Sequence, residues 1–418
     1  MNREFLPEAV VGITVGLLLA VLAVYRTKKV PSSGLMARGA MMSVLLYAIV
    51  AAQVLVRDGM TAVGLVLVLV MVCLPVVGML LTARSPRVTG TAALVGRSIV
   101  SVGLAAAMLI AAGQTLSMLS LVDPRTLVIV LTAVTGLLVA FEGLRATGRI
   151  GSLAVWLLIV PIVLVLVLGF LLGNIGQAVS PIIRTGGVPI ATVVSLMAGF
   201  LVLGAADSAL AASHRSVGWS PVRVLGGVFI VVILIVFGML MFFGGAILAP
   251  TVQFFVIPAN IDALPGLAGV LLAVLTMLFA AVVASSLSGL LVAGTEPAEG
   301  ASESVVLATV GDVNRRVFGI GLAAALVLAL VNPGMEWVVI ATSLAAAAVA
   351  TATAERGLLA GLVLAGVLIV VLTATGAMEW GLWAVLSVAA VAIVGRVGSG
   401  RATPLSEPTA VETPAVAG

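Results

Sequence analysis

The sequence predicts an all-α polytopic membrane protein of about thirteen transmembrane helices. Three observations carry that expectation. Hydrophobic residues make up 62% of the 418 residues, charged residues 9%, and the mean hydropathy is +1.35. A soluble domain is about 45–50% apolar and about 25% charged, so this chain could not cover a water-facing surface. Second, the apolar residues fall into runs of spanning length. Third, the basic residues alternate between successive connections. The same figures exclude a disordered chain, a collagen and a disulfide scaffold.

A spanning helix needs about 20 mostly apolar residues. Such runs occur at roughly 6–25, 38–56, 60–82, 94–119, 126–143, 152–173, 188–212, 223–248, 266–293, 316–331, 335–353, 357–376 and 378–395. The first lacks a basic leader and a cleavage site and is read as a retained span rather than a signal peptide. Alternate connections from the first hold sixteen basic residues, among them Arg26, Arg84, Arg97, Arg145, Arg215, Arg315 and Arg356. The opposite side holds four: Arg3, Arg57, Arg125 and Arg184. Because basic loops stay cytoplasmic, the N-terminus is expected outside and the C-terminus inside, in a multi-pass protein of the inner (cytoplasmic) membrane. Residues 1–400 form one transmembrane domain on this reading. The Pro-, Thr- and Glu-rich tail 401–418 reads as disordered and cytoplasmic.

One cysteine, Cys73, and one histidine, His214, leave no material for a disulfide, a thiolate cluster or a zinc site. No metal centre and no organic cofactor is expected. The basic residues are scattered, so the net charge of +4 does not point to nucleic acid. The expected partners are the bilayer and a small solute.

Polar residues inside spans are expensive and mark function or packing. Glu142 stands three residues before Arg145, on one helix face, where the two can pair. Asp207 sits near the inner end of the seventh span, readable as an interfacial cap or as a gate. Gln114, deep in the fourth span, can bond a neighbouring helix or a polar substrate. Gly199 and Gly204 either let helices pack closely or let the seventh span unwind beside a substrate cavity. These three are the candidate substrate-binding residues. The segment AAVVASSLSGLL (280–291) groups Ser285, Ser286 and Ser288 in an apolar span. Hydroxyl and carbonyl oxygens suit a hard cation, but serines also bond the carbonyl one turn back and pack.

That segment resembles the "AA-x-x-SS-x-S" stretch of the sodium:solute symporter family, which lies in the ninth of thirteen helices. LLTARSPRVTGTAALVGR (80–97), AAGQTL (111–116) and TGLLVAFEGLRATGRIGSL (135–153) are similar, in order, to other segments of that family. The resemblance covers about residues 35–350. It implies a LeuT-type five-plus-five inverted repeat, about 36–173 and about 188–353, with substrate bound near the midplane between broken helices. It further implies that Ser285 and Ser286 give hydroxyls, and Val282 its carbonyl, to a coupling Na⁺.

The sequence departs from the family in its second span. MMSVLLYAIVAAQVLV (41–56) has neither Gly nor Pro, so it is expected to run as a continuous helix that frees no carbonyls for sodium. The expected function is a secondary active transporter of a small solute, coupled to Na⁺ or H⁺, and not an enzyme. The alternatives are a non-transporting membrane scaffold or sensor on the same fold and, behind it, an integral-membrane lipid-modifying enzyme. No Walker-type phosphate loop is present to drive primary pumping.

Overall fold

A computed structural model describes residues 62–82, 88, 91–120, 122–140, 150, 154, 157, 190–207, 274, 277–284, 287–291, 313–331 and 334–394. Every regular element among the described residues is helical, with no strand. The helices are α1 (Ala62–Thr82), α2 (Thr91–Ser120), α3 (Pro124–Ala140) and α4 (Ile190–Ala206). The helical residues 277–284 and 287–291 form α5. Then come α6 (Val313–Val331), α7 (Met335–Thr351), α8 (Glu355–Thr375), a 3₁₀ turn (Met378–Trp380) and α9 (Gly381–Val394). These coincide with nine of the expected spans. The first, second and eighth, and nearly all of the sixth, lie outside the described residues, as do Glu142, Arg145 and the tail.

Helix boundaries follow local chemistry. Asp123 caps α3, its Oδ2 accepting from the Thr126 N–H at 3.1 Å, and Pro124 fills the first helical position, where no N–H is needed. α3 therefore starts two residues before the expected span. Gly376, at φ +69°, ends α8 in the left-handed conformation, its N–H bonded to the Leu372 carbonyl. The 3₁₀ turn follows, so the expected last span, 378–395, is a helix only from Gly381.

α7 is the hub. It packs on α2, α4, α8 and α9, while α1 lies along α4 and α6 along α2. Eleven of its seventeen residues are buried, and four of them are the run Ala345–Ala348. Small side chains let neighbouring backbones approach closely, which is how helices pack when the surroundings are as apolar as the interior. Thus Gly361 of α8 faces Ala348 of α7 and Ala392 of α9, and Gly103 of α2 faces Thr342 of α7.

Two helical stretches are long and apolar enough to cross a membrane by length and composition: Thr91–Gln114, 72% buried, and Glu355–Thr375, 28% buried. The first is enclosed by other helices; the second forms an outer wall. Many large apolar side chains lie on the exterior, among them Ile190, Ile320, Val331, Val363 and Val370. Several buried hydroxyls are satisfied within their own helices. Those of Thr132 and Thr135 each donate to a carbonyl one turn back at 2.7 Å.

Candidate functional site

Five helix ends meet at one end of the bundle: the C-termini of α1, α4 and α7 and the N-termini of α2 and α8. Thr82, Val88, Ala93, Arg97, Ala205, Ala206, Val349, Ala350, Ala352 and Leu358 enclose a cavity of about 30 Å³ there. A water needs about 10–15 Å³ of such space, so the cavity has room for water or a small ion and not for an organic solute.

Arg97 lines this cavity from the second turn of α2 and is only 9% exposed. It is the one charged residue in the thirty of that helix. Its Nε donates to the Ala93 carbonyl at 3.2 Å. Three helix C-termini, with partial negative charge, and two N-termini, with partial positive charge, border the cavity that this guanidinium lines. The Thr82 hydroxyl lies 3.1 Å from the Gly78 carbonyl and 3.2 Å from that of Ala205, and so bridges the ends of α1 and α4. Asp207, directly after α4, is 1% exposed. Its carboxylate is held inside the protein rather than turned out to solvent. Two ionisable residues are therefore buried near one end of an otherwise apolar bundle.

The candidate substrate residues do not converge. Gln114 is half-buried toward the far end of α2, and its neighbour Gly113 packs on Val128 and the Pro124 carbonyl of α3. Gly199 faces Ser343 of α7, and Gly204 faces the backbone of Pro75 in α1. α4 runs as an unbroken helix through both glycines, so of the two readings of these residues the structure shows close packing rather than unwinding. A Cβ at Gly204 would overlap the Pro75 carbonyl, and one at Gly78 would overlap that of Leu201. α1 and α4 thus touch backbone to backbone, and close packing explains the absence of a side chain at both positions.

Of the proposed cation ligands, Val282 is fully buried in the main core beside Leu278 and Phe279. Ser285 and Ser286 lie outside the described residues, as does the second span expected to face them. Ser288 donates to the Ala284 carbonyl at 2.7 Å, the local bond that leaves a serine's proton unavailable to anything else. Among the described residues no three of His, Cys, Asp and Glu come together, and Cys73 is exposed on α1.

Sequence reasoning placed Arg97 among the loop charges, although its position inside an apolar run signalled burial. It missed Ser195 altogether. This buried residue of α4 accepts from the Leu382 N–H at 3.1 Å and donates to the Glu379 carbonyl at 3.3 Å, capping α9 from another helix. Nothing local to residue 195 announces that role. No protein-family model and no curated protein matches this chain.

Proposed function

We propose that this chain is a multi-pass protein of the cytoplasmic membrane that moves a small solute by alternating access, coupled to Na⁺ or H⁺. The observation that carries the reading is the burial of Arg97 and Asp207 among the helix ends of an apolar bundle. Ionisable side chains buried in an apolar helical bundle are costly, and in membrane proteins they commonly mark ion or substrate pathways. The ordered resemblance to the sodium:solute symporters supports the same reading and brings with it the thirteen-helix, inverted-repeat architecture. The convergence of helix ends supports the topology. The C-terminal ends of α1, α4 and α7, whose following segments the charge alternation assigns to one side, meet at one end of the bundle.

The test is uptake of a panel of labelled small solutes into vesicles containing the purified protein, with and without a Na⁺ or pH gradient. Accumulation of one solute that depends on a gradient and falls in Arg97→Ala and Asp207→Asn is expected. A folded, reconstituted protein that accumulates nothing under either gradient refutes the reading.

A specific observation favours a second reading. α4 is continuous and interlocked with α1, and a helix held in this way suits a membrane scaffold or sensor as well as a transporter. That reading expects the gradient-independent outcome, with the protein recovered in complex with other membrane proteins.

A further inference from the structure

We infer that the α8–α9 hairpin is a lipid-facing wall, with one bilayer boundary at Trp380 and Trp383 and the other at Arg356. The inference rests on the membrane reading above and adds to it which face meets lipid and at what depth. α8 has 21 residues, which at about 1.5 Å per residue is about 31 Å, against a hydrocarbon core of about 30 Å. Charge stops at its ends. Glu355 and Arg356 open the helix, Glu379 follows it, and nothing between 357 and 378 is charged.

One face of α8, with Gly357, Leu358, Gly361, Ala365 and Leu372, is buried against the bundle, while Leu359, Val363, Val367 and Val370 form an exposed apolar stripe along its length. A stripe of branched apolar side chains along the outside of a helix suits lipid as the outer neighbour. A soluble protein rarely leaves so long an apolar face open. The exposed hydroxyls obey the same constraint. Thr373 and Thr375 of α8 and Ser387 of α9 donate to carbonyls one turn back, at 2.7, 2.9 and 2.8 Å. Hydrocarbon supplies no partner, so a hydroxyl facing it must find one in its own helix.

The ends then locate the boundaries. Trp380 and Trp383 are 58% and 62% exposed, side by side at the turn between the helices. Indole, with an apolar body and one N–H, concentrates at the headgroup level. Arg356 is exposed at the other end of α8, where its guanidinium reaches lipid phosphates.

The experiment uses the full-length protein in phosphatidylcholine vesicles whose acyl chains are brominated either close to the headgroup or close to the chain end. Bromine quenches tryptophan only at contact range, so the more effective lipid reports depth. The fluorescence lost in the Trp380→Phe, Trp383→Phe double variant should be quenched severalfold more by the shallow bromines. Val367→Trp, placed in that double variant, should be quenched most by the deep ones. Absence of quenching at both levels would overturn the proposal, because water, a second copy or another protein would then cover the wall. Deep bromines acting most strongly on Trp380 and Trp383 would overturn the assigned boundary. Failure of the membrane reading has a different signature: alkaline carbonate would strip the protein from the vesicles.

Discussion

Replacing Gly204 by alanine tests the packing directly, because the effect can be worked from what the new methyl group meets. A Cβ there overlaps the carbonyl, Cα and carbonyl carbon of Pro75, all backbone atoms that no rotamer change can move aside. α1 and α4 must separate, and Gly78, interlocked with Leu201 a turn away, leaves no easy slide. Overpacking of this kind costs about 1–3 kcal/mol, and a collision with backbone belongs at the upper end. The helix-propensity gain of alanine over glycine offsets about 1 kcal/mol. The net loss is about 2 kcal/mol, roughly a 30-fold fall in the folded-to-unfolded ratio.

Two controls bracket the result. At Gly366 of α8 an added Cβ meets nothing within 4 Å, so Gly366→Ala should be neutral or slightly stabilising. At Gly199 the nearest atom is the Ser343 Cβ at 3.3 Å, a contact that a shift of a few tenths of an ångström relieves. Thermal unfolding of the purified protein in detergent should therefore rank Gly366→Ala highest, Gly199→Ala between and Gly204→Ala lowest. A Gly204→Ala protein as stable as Gly366→Ala would refute the backbone-to-backbone contact. It would also reopen the reading of α4 as a helix that unwinds.

Three further outcomes are expected. Ser195→Ala removes the cap on the Leu382 N–H and should cost about 1 kcal/mol, seen as faster amide exchange at the start of α9 with α1 unaffected. Reporter fusions after residues 30, 90, 218 and 305 should all report cytoplasm, since the arginine alternation places each of those connections inside; one periplasmic signal breaks the count of thirteen. In a transporter shown to depend on Na⁺, Ser285→Ala combined with Ser286→Ala should raise the sodium concentration needed for half-maximal uptake, and an unchanged value leaves those serines a packing role.

The positions of α1, α2, α6, α7 and α8 were legible within a few residues because their cause is local. A run of about twenty apolar residues without charge is stable in lipid only as a helix, whatever its neighbours. Edges were less legible where a different local chemistry sets them. Asp123 and Pro124 start α3 ahead of the point where hydropathy rises, and a 3₁₀ turn at Met378–Trp380 occupies the start of the span expected at 378–395.

The candidate site was legible only in part. That Asp207 and Arg97 are costly in an apolar chain follows from composition. That both are buried, and that Arg97 lines a cavity formed by five helix ends, follows only from how segments more than two hundred residues apart are folded together. The glycines make the same division. Their small size is plain at 199 and 204, but close packing and helix unwinding call for the same residue, so the sequence alone left both readings open. The choice at 204 was made by Pro75, which lies in another helix and occupies the space a side chain would need. Composition and run length determined that the chain is helical and apolar, because those are properties of each segment alone. Which polar atoms are buried, and which helices grip one another, was decided by the tertiary structure, because each such contact takes half of its atoms from somewhere else in the chain.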